Sequence, residues 1–387
     1  MAKISDERLK RVTELVEQAL DGNDNAQGAI KSEIKRARQV DAEESHSTSD
    51  FPTALKAITT VAFLEEYGTI ESIYPQYTRP YNVNNLRLQA FYSLQSDNTN
   101  LPDTNGGEVT IKAPGVNGVS GLPRVPELTE FAPISFVASE TSFGVAKYGA
   151  RVNFSFEMLL NDEWGVLETL PNQLAQLARN QEDIVSTEVL VNPNAPYGPN
   201  SNFFNTANGN ILAGNPALSI DSITDAAAAI ESRVFNGNPV QVTNLTLMVP
   251  PALAAEARRL LGISSFLVVD PVNGTYNAAN PVSGIRLIVN PWLTVIDKSA
   301  TANTTWYMLP FAGAGNRPSI VFSKIRGREA PELRISNATG DYLGGGPVPG
   351  REGSFVNDDI EFRVRHFVGA AGIAFETVIV SKGNAVA

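Results

Sequence analysis

The sequence predicts a mixed α+β protein of two or three domains in which part of the chain has no core of its own. Three observations lead there. A length of 387 residues with 43% hydrophobic side chains is ample for more than one buried core. The periodicity changes repeatedly along the chain, from charged helix to strand patches, to one long helix, to an alternating α/β body. Finally, about sixty residues between Asn82 and Tyr148 read as two long strands around a tip poor in large apolar residues.

Residues 1–50 are the most charged part, with 8 Lys/Arg and 11 Asp/Glu. Ile4, Val12, Leu15, Val16, Ala19 and Leu20 form one helical stripe, and Ile30, Ile34, Ala37 and Val40 a second. Asp21-Gly-Asn-Asp-Asn separates them. Stripes this narrow bury little alone, so the segment is expected to be an arm docking on a neighbouring copy; a partly disordered charged tail is the alternative. Phe51 to Tyr67 predicts a helix with Pro52 in its first turn and Leu55, Ile58, Ala62 and Phe63 on one side. Two strands follow, containing Leu86 to Phe91 and Phe136 to Phe143, around a Gly/Asn/Pro/Asp-rich tip from Ser96 to Pro126. An isolated hairpin is marginal in water, so this one needs outside support.

From Phe143 a strand runs towards a helix for which Asn161 and Asp162 are cap candidates. Trp164, Leu167, Leu174, Leu177, Ala178, Ile184 and Val185 continue at helical spacing to about Val191. Pro171 is expected to kink or restart it. Thirty continuous residues would make a rod of roughly 45 Å, a scaffold more than a catalytic element. An Asn- and Pro-rich loop at 193–215 precedes an α/β body. There, Asp221 is expected to cap a helix bearing Ile223, Ala227, Ile230 and Val234, and Ala252 to Leu261 forms another. Strands are expected at Asn244 to Val249, Ile285 to Val289, Thr304 to Leu309 and Ser319 to Phe322. The C-terminal region reads as a hairpin: Ile360, Phe362, Val364, His366 and Val368 point one way, Gly369-Ala-Ala-Gly turns, and Ile373 to Val380 returns.

Composition excludes much chemistry. With no cysteine there are no disulfides, thiolate nucleophiles or iron–sulfur clusters. The two histidines, His46 and His366, are too few for a histidine metal site. A net charge of −11 argues against sequence-specific nucleic-acid binding. No secretory signal and no membrane-spanning run are expected, which implies synthesis in the cytoplasm. Phosphate-loop, dinucleotide and nucleophile-elbow motifs are all missing. His366 is expected to be a packed core histidine. Glu43-Glu44, Glu65-Glu66 and Asp358-Asp359 read as solvated surface, Lys31 to Arg38 as a salt-laced helix face, and Trp164, Trp292 and Trp306 as core. The expectation is a protein that is not an enzyme, with no catalytic residues, no cofactor-binding residues, no metal ligands and no cofactor.

The order of segments resembles the major capsid proteins of tailed bacteriophages, the Hong Kong 97-type fold. The resemblance runs over about residues 51–383. Its most specific stretch is Lys147, Arg151, Ser155, Glu157 and Asn161-Asp162 leading into Gln173 to Val189, with Leu174 to Asp183 similar to the family's spine helix. Phe362-Arg-Val-Arg and Val378-Ile-Val-Ser-Lys-Gly are similar to its closing strands. The resemblance implies an N-terminal arm at 1–50, peripheral-domain segments at 51–82, 150–215 and 346–387, an extended β-hairpin loop at 83–149, and an axial α/β domain at 216–345. It also implies self-assembly into the hexamers and pentamers of an icosahedral virion shell around double-stranded DNA. The DNA would be touched only non-specifically, scaffolding, portal and decoration proteins would be further partners, and no membrane is involved. Some relatives crosslink through a Lys–Asn isopeptide bond promoted by a Glu. Here the residue two after Arg365 is Phe367 and no Asn stands in the partner position, so assembly is expected to be non-covalent. An encapsulin-like nanocompartment shell and a β-rich phage tail or surface-binding module are the alternatives.

Overall fold

The computed structural model describes residues 63–96, 127–128, 136–155, 166–235, 238–242, 244–270, 274–312, 314, 317–336 and 359–383. The expected N-terminal arm, most of the helix from Phe51, the hairpin tip, the Asn161 and Asp162 caps, and Trp164 lie outside the described residues.

In chain order, helix α1 (63–69) leads to β1 (Arg79–Pro80), the hairpin strands β2 (Gln89–Ser96) and β3 (Phe136–Phe143), and β4 (Ala146–Ser155). Helix α2 (Val166–Thr187) is followed by the two-residue strands β5 (Val191–Asn192) and β6 (Gly198–Pro199). Next come α3 (Ile220–Glu231), β7 (Val234–Phe235), β8 (Asn238–Pro239), β9 (Leu245–Val249) and α4 (Ala254–Gly262). The pair β10 (Ser265–Asp270) and β11 (Gly274–Ala279) precedes β12 (Arg286–Val289), the short helix α5 (Trp292–Ile296) and β13 (Trp306–Pro310). The chain then passes through β14 (Ile320–Lys324), β15 (Glu332–Ile335), β16 (Asp359–Gly372) and β17 (Ile379–Ser381). The expected α+β class holds.

The described residues fall into two compact units. One draws on the chain up to Glu71, on Lys147–Gln181 and on Arg328–Phe367; the other on Ser72–Ala146, Glu182–Gly327 and the chain from Val368 onward. Helix α2 and strand β16 each contribute residues to both.

In the first unit, Phe63 and Tyr67 of α1 and Leu170, Leu174, Ala175 and Ala178 of α2 bury themselves against Phe362 and Val364 of β16. Strand β15 runs antiparallel to β16, with Leu333 opposite Val364 and Ile335 opposite Phe362, and β4 pairs with β16 as well. The alternation of Phe362, Val364 and His366 inward with Arg363 outward follows from the two-residue repeat of a strand. Helix α2 spans 22 residues, about 33 Å, and continues unbroken through Pro171. It ends at Thr187, short of the Val191 that the sequence pattern suggested, because Val189, Leu190 and Val191 leave the helix to enter a core of the second unit.

The second unit is organised on a four-stranded sheet in the order β12-β9-β13-β17. Strand β9 is parallel to β12 and antiparallel to β13, and every one of its side chains is buried. The pleat divides them. Leu245, Leu247 and Val249 join Ile223, Ala226 and Ile230 of α3 and Ala257 and Leu260 of α4, whereas Met248 joins Tyr307, Leu309 and Leu190 in a second cluster. Burial on both faces goes with a strand that is apolar apart from Thr246. Helix α3 is capped by Ser219, not by Asp221 as the sequence suggested. Ser219 Oγ accepts from Ser222 N at 3.1 Å and Ser222 Oγ accepts from Ser219 N at 2.9 Å, a reciprocal box, leaving Asp221 in the first turn. The helix ends at Glu231, so Val234 is not on its face; it lies in β7 and is 60% exposed.

The terminal hairpin expected from Gly369-Ala-Ala-Gly does not form. Strand β16 runs straight through these residues, and 368–372 pair antiparallel with β14. The chain then makes a single 3-10 turn at Phe375–Thr377, and β17 pairs with β13 in the other sheet. The glycines serve close approach instead. A methyl group at 369 would stand 3.0 Å from Gly144 C and Val145 Cα, and one at 372 would strike the Phe203 ring.

Candidate assembly surface

Strands β2 and β3 form an antiparallel ladder of eight residue pairs, from Gln89 opposite Phe143 to Ser96 opposite Phe136. Among the described residues they pair with no third strand. The ladder is about 27 Å long, and a two-stranded hairpin standing by itself is at best marginally stable in water. Large apolar side chains stand uncovered beside it in the second unit: Leu88 is 74%, Leu86 54% and Tyr81 46% exposed. Tyr81 meets Phe143 edge-on at 5.4 Å, which fixes the base of the hairpin to β1.

Polar contacts, several of them buried, tie that base to the rest of the second unit. Asp183 Oδ1 accepts from the backbone N–H groups of Ile73 and Tyr74 at 2.9 and 3.0 Å, where the 3-10 turn Tyr74–Gln76 begins. The Tyr77 hydroxyl and Ser186 Oγ are 2.7 Å apart, and burial pushes the Tyr77 phenol far up. Lys324 Nζ lies 2.7 Å from Glu182 Oε1, whose side chain is fully buried, so this ion pair is almost entirely out of water. Strand β14, which carries Lys324, pairs parallel with β1 and continues past it in the Val83–Ile325 bridge. Chain entering the hairpin is thus held by the C-terminal turns of α2 and by β14.

A second charged group lies under the 3-10 turn before β17. Glu376 pairs with Arg317, and Arg233 donates to the Glu376 backbone oxygen at 2.8 Å. Burial raises the Glu376 carboxyl and outweighs the pull of the Arg317 and Arg233 charges. In the first unit, Glu332 pairs with Arg328, Arg334 and Arg365. Burial alone would push this carboxyl up, but the Arg365 hydrogen bond and the three guanidinium charges hold it below the usual carboxylate range.

His366 is buried and meets Tyr67 edge-on at 6.1 Å, in the inward core position expected of it. Trp306 is fully buried with its indole N–H donating to Pro216 O at 3.2 Å, and Trp292 packs partly buried on a core. Among the described residues no group of three or more His, Asp or Glu is placed to hold a metal ion, and no helix is long and apolar enough to cross a membrane. The buried charges at Glu182, Lys324, Arg317 and Glu376 were missed by sequence reasoning. Their only sequence signal is an ionisable residue beside strongly apolar neighbours, as at Val321-Phe-Ser-Lys.

Residues 139–380 match the model of a family described as phage capsid protein. No curated protein matches the chain. Among solved structures, the chain is similar to one from Microbacterium phage Oxtober96, at 13% identity and a TM-score of 0.42 over 81% of this chain and 92% of that one. It is also similar to the capsid of a native GTA particle, at 12% identity and 0.46 over 81% and 90%. The encapsulin of a holo-SrpI complex from Synechococcus elongatus PCC 7942 gives 10% identity and 0.41 over 79% and 85%.

Proposed function

Because this chain belongs to the phage capsid protein family, we propose that it is the structural major capsid protein of a tailed phage and assembles with itself into the closed icosahedral shell around the packaged DNA. The family match over 139–380 carries this reading. The two-stranded ladder of β2 and β3 supports the manner of assembly: its strands, which pair with no third strand among the described residues, and the exposed Leu86, Leu88 and Tyr81 gain cover when laid across a neighbouring subunit. In this reading residues 83–149 are the extended loop, 216–345 the axial domain, 51–82, 150–215 and 346–387 the peripheral domain, and 1–50 an arm contributing to the same interlock. The role is structural, without a catalytic centre or cofactor. Synthesis takes place in the host cytoplasm and the working location is the virion.

Subunits are held without covalent crosslinks, since Phe367 occupies the position where the crosslinking relatives' Glu would fall. Full-length protein expressed alone and viewed by negative-stain microscopy is expected to give closed shells, and denatured shells to run as a single 41.6 kDa band. A chain that remains monomeric at every concentration refutes the capsid reading, and a ladder of multimers refutes non-covalent assembly. Particles recovered from infected cells are expected to hold DNA; protein cargo would favour a nanocompartment.

A further inference from the structure

The outward row of the first unit's sheet is crowded with guanidinium groups in a chain of net charge −11. Arg151 of β4 pairs with Glu361 at 3.1 Å, and Arg365 and Arg334 both reach Glu332. Arg363 is exposed, stands directly opposite Arg334 in the β15–β16 register, and its guanidinium makes no ion pair or hydrogen bond among the described residues. Like charges directly opposite each other destabilise an antiparallel pair, and Glu332 offsets the charge of Arg334 but leaves that of Arg363 unmatched, so this face carries a local cost that the isolated subunit relieves only in part.

The mirror image occurs on α3 in the second unit. Asp221, Asp225 and Glu231 are exposed on one side of that helix, which holds no basic residue. Asp221 and Asp225 repel at i,i+4 spacing, and Glu231 sits in the last turn, where the helix dipole disfavours an anion.

We propose that the Arg151–Arg334–Arg363 face docks a second copy of this chain through the acidic side of that copy's α3. Each patch then relieves the repulsion of the other, and arginine's planar fork suits carboxylates at discrete positions. Glu332 and Glu361 interrupt the row, so its free positive charge stands at separate points that carboxylates at discrete positions can match and a continuous phosphate backbone cannot, which favours a protein partner over DNA. The contact is heterologous, sheet face to helix face, the type that generates rings when the rotation closes. This inference rests on the capsid reading, because it assigns one contact within that assembly.

The test uses the full chain. The reversal R151E/R334E/R363E is expected to fold with the circular dichroism of wild type but to form shells only at protein concentrations about tenfold higher or more. Adding D221K/D225K/E231K to the reversed chain is expected to restore assembly. Wild-type shells are also expected to loosen as salt rises. If the reversed chain fails to fold, the neutral R151Q/R334Q/R363Q is expected to show the same direction of change with a weaker salt response. Wild type that never assembles overturns the capsid reading itself, and the inference with it. Wild type that assembles while the folded reversed and neutral proteins assemble equally well overturns only the inference. Shells that form normally but retain less DNA assign the face to phosphate and overturn it too, and failure of the rescue overturns the pairing with α3.

Discussion

Replacing Gly369 by alanine tests the reading of β16 most directly. If Gly369-Ala-Ala-Gly were a turn, a methyl group there would meet solvent. In the structure it would stand 3.0 Å from Gly144 C and Val145 Cα and closer still to Gly144 O, all backbone atoms. Non-bonded carbon prefers about 3.5 Å or more from its neighbours, and the contact with Gly144 O is the tightest, so the β3–β4 junction and β16 must part by roughly 1 Å or more. Overpacking of that kind costs about 1–3 kcal/mol. With a core of this size each kcal/mol lowers the melting temperature by about 2–4 °C, giving an expected fall of roughly 2–12 °C. Gly284 is the internal control: nothing lies within 4 Å of a methyl group there, and Gly284→Ala is expected to leave melting unchanged or raise it slightly. The assay is thermal unfolding of unassembled protein followed by near-ultraviolet circular dichroism. Equal melting temperatures for Gly369→Ala and Gly284→Ala refute the close approach of β16 to Gly144 and with it the straight path of the strand.

Three further outcomes are expected. Lys324→Met removes the 2.7 Å ion pair of the buried Glu182 and is expected to cost about 3–5 kcal/mol in urea unfolding, most of it recovered in Lys324→Met/Glu182→Leu; a single variant as stable as wild type contradicts the burial. Glu332 titrates below the usual carboxylate range, so its contribution is present above the unfolded value of 4.5 and is lost as pH falls through the lower folded value. Glu332→Gln should therefore flatten the acid limb of the stability profile below pH 4.5, by no more than about 1 kcal/mol at this partly solvated site, and an unchanged limb contradicts the assignment. Ser219→Ala opens the capping box of α3 and is expected to cost about 1 kcal/mol in denaturant unfolding, against a few tenths for Asp221→Ala; the reverse order would return the cap to Asp221.

What the sequence disclosed was local. The alternation of Phe362, Val364 and His366 and the helical spacing from Leu174 to Val185 each state their own secondary structure, because each buries side chains at a fixed period, and the short, largely apolar segment Leu245 to Val249 does so by being buried on both faces. Where local signals compete, sequence could not choose: Ser219 and Asp221 are both good caps two residues apart, and only the position of Ser222 decides. Glycine was ambiguous in the same way, since Gly369 and Gly372 read as a turn when only the strand end is known and as points of contact once Gly144 and Phe203 are in place. The ion pair of Glu182 with Lys324 and the pairing of β17 with β13 join residues far apart in the chain, and no short-range pattern encodes them. The arginine row was equally hidden, because its members come from β4, β15 and β16.

Strand β17 is the last described element to leave the ribosome, yet Val378, Ile379 and Val380 are among the most completely buried side chains in the molecule. Ile379 closes the core beneath α3, while Val378 and Val380 close the core on the opposite face of the same sheet. A chain in which β17 has yet to be made therefore carries two unfinished hydrophobic faces. A product that stops before β17 lacks the strand that seals both, and the apolar surface and open sheet edge it leaves are the features that draw incomplete chains into aggregates.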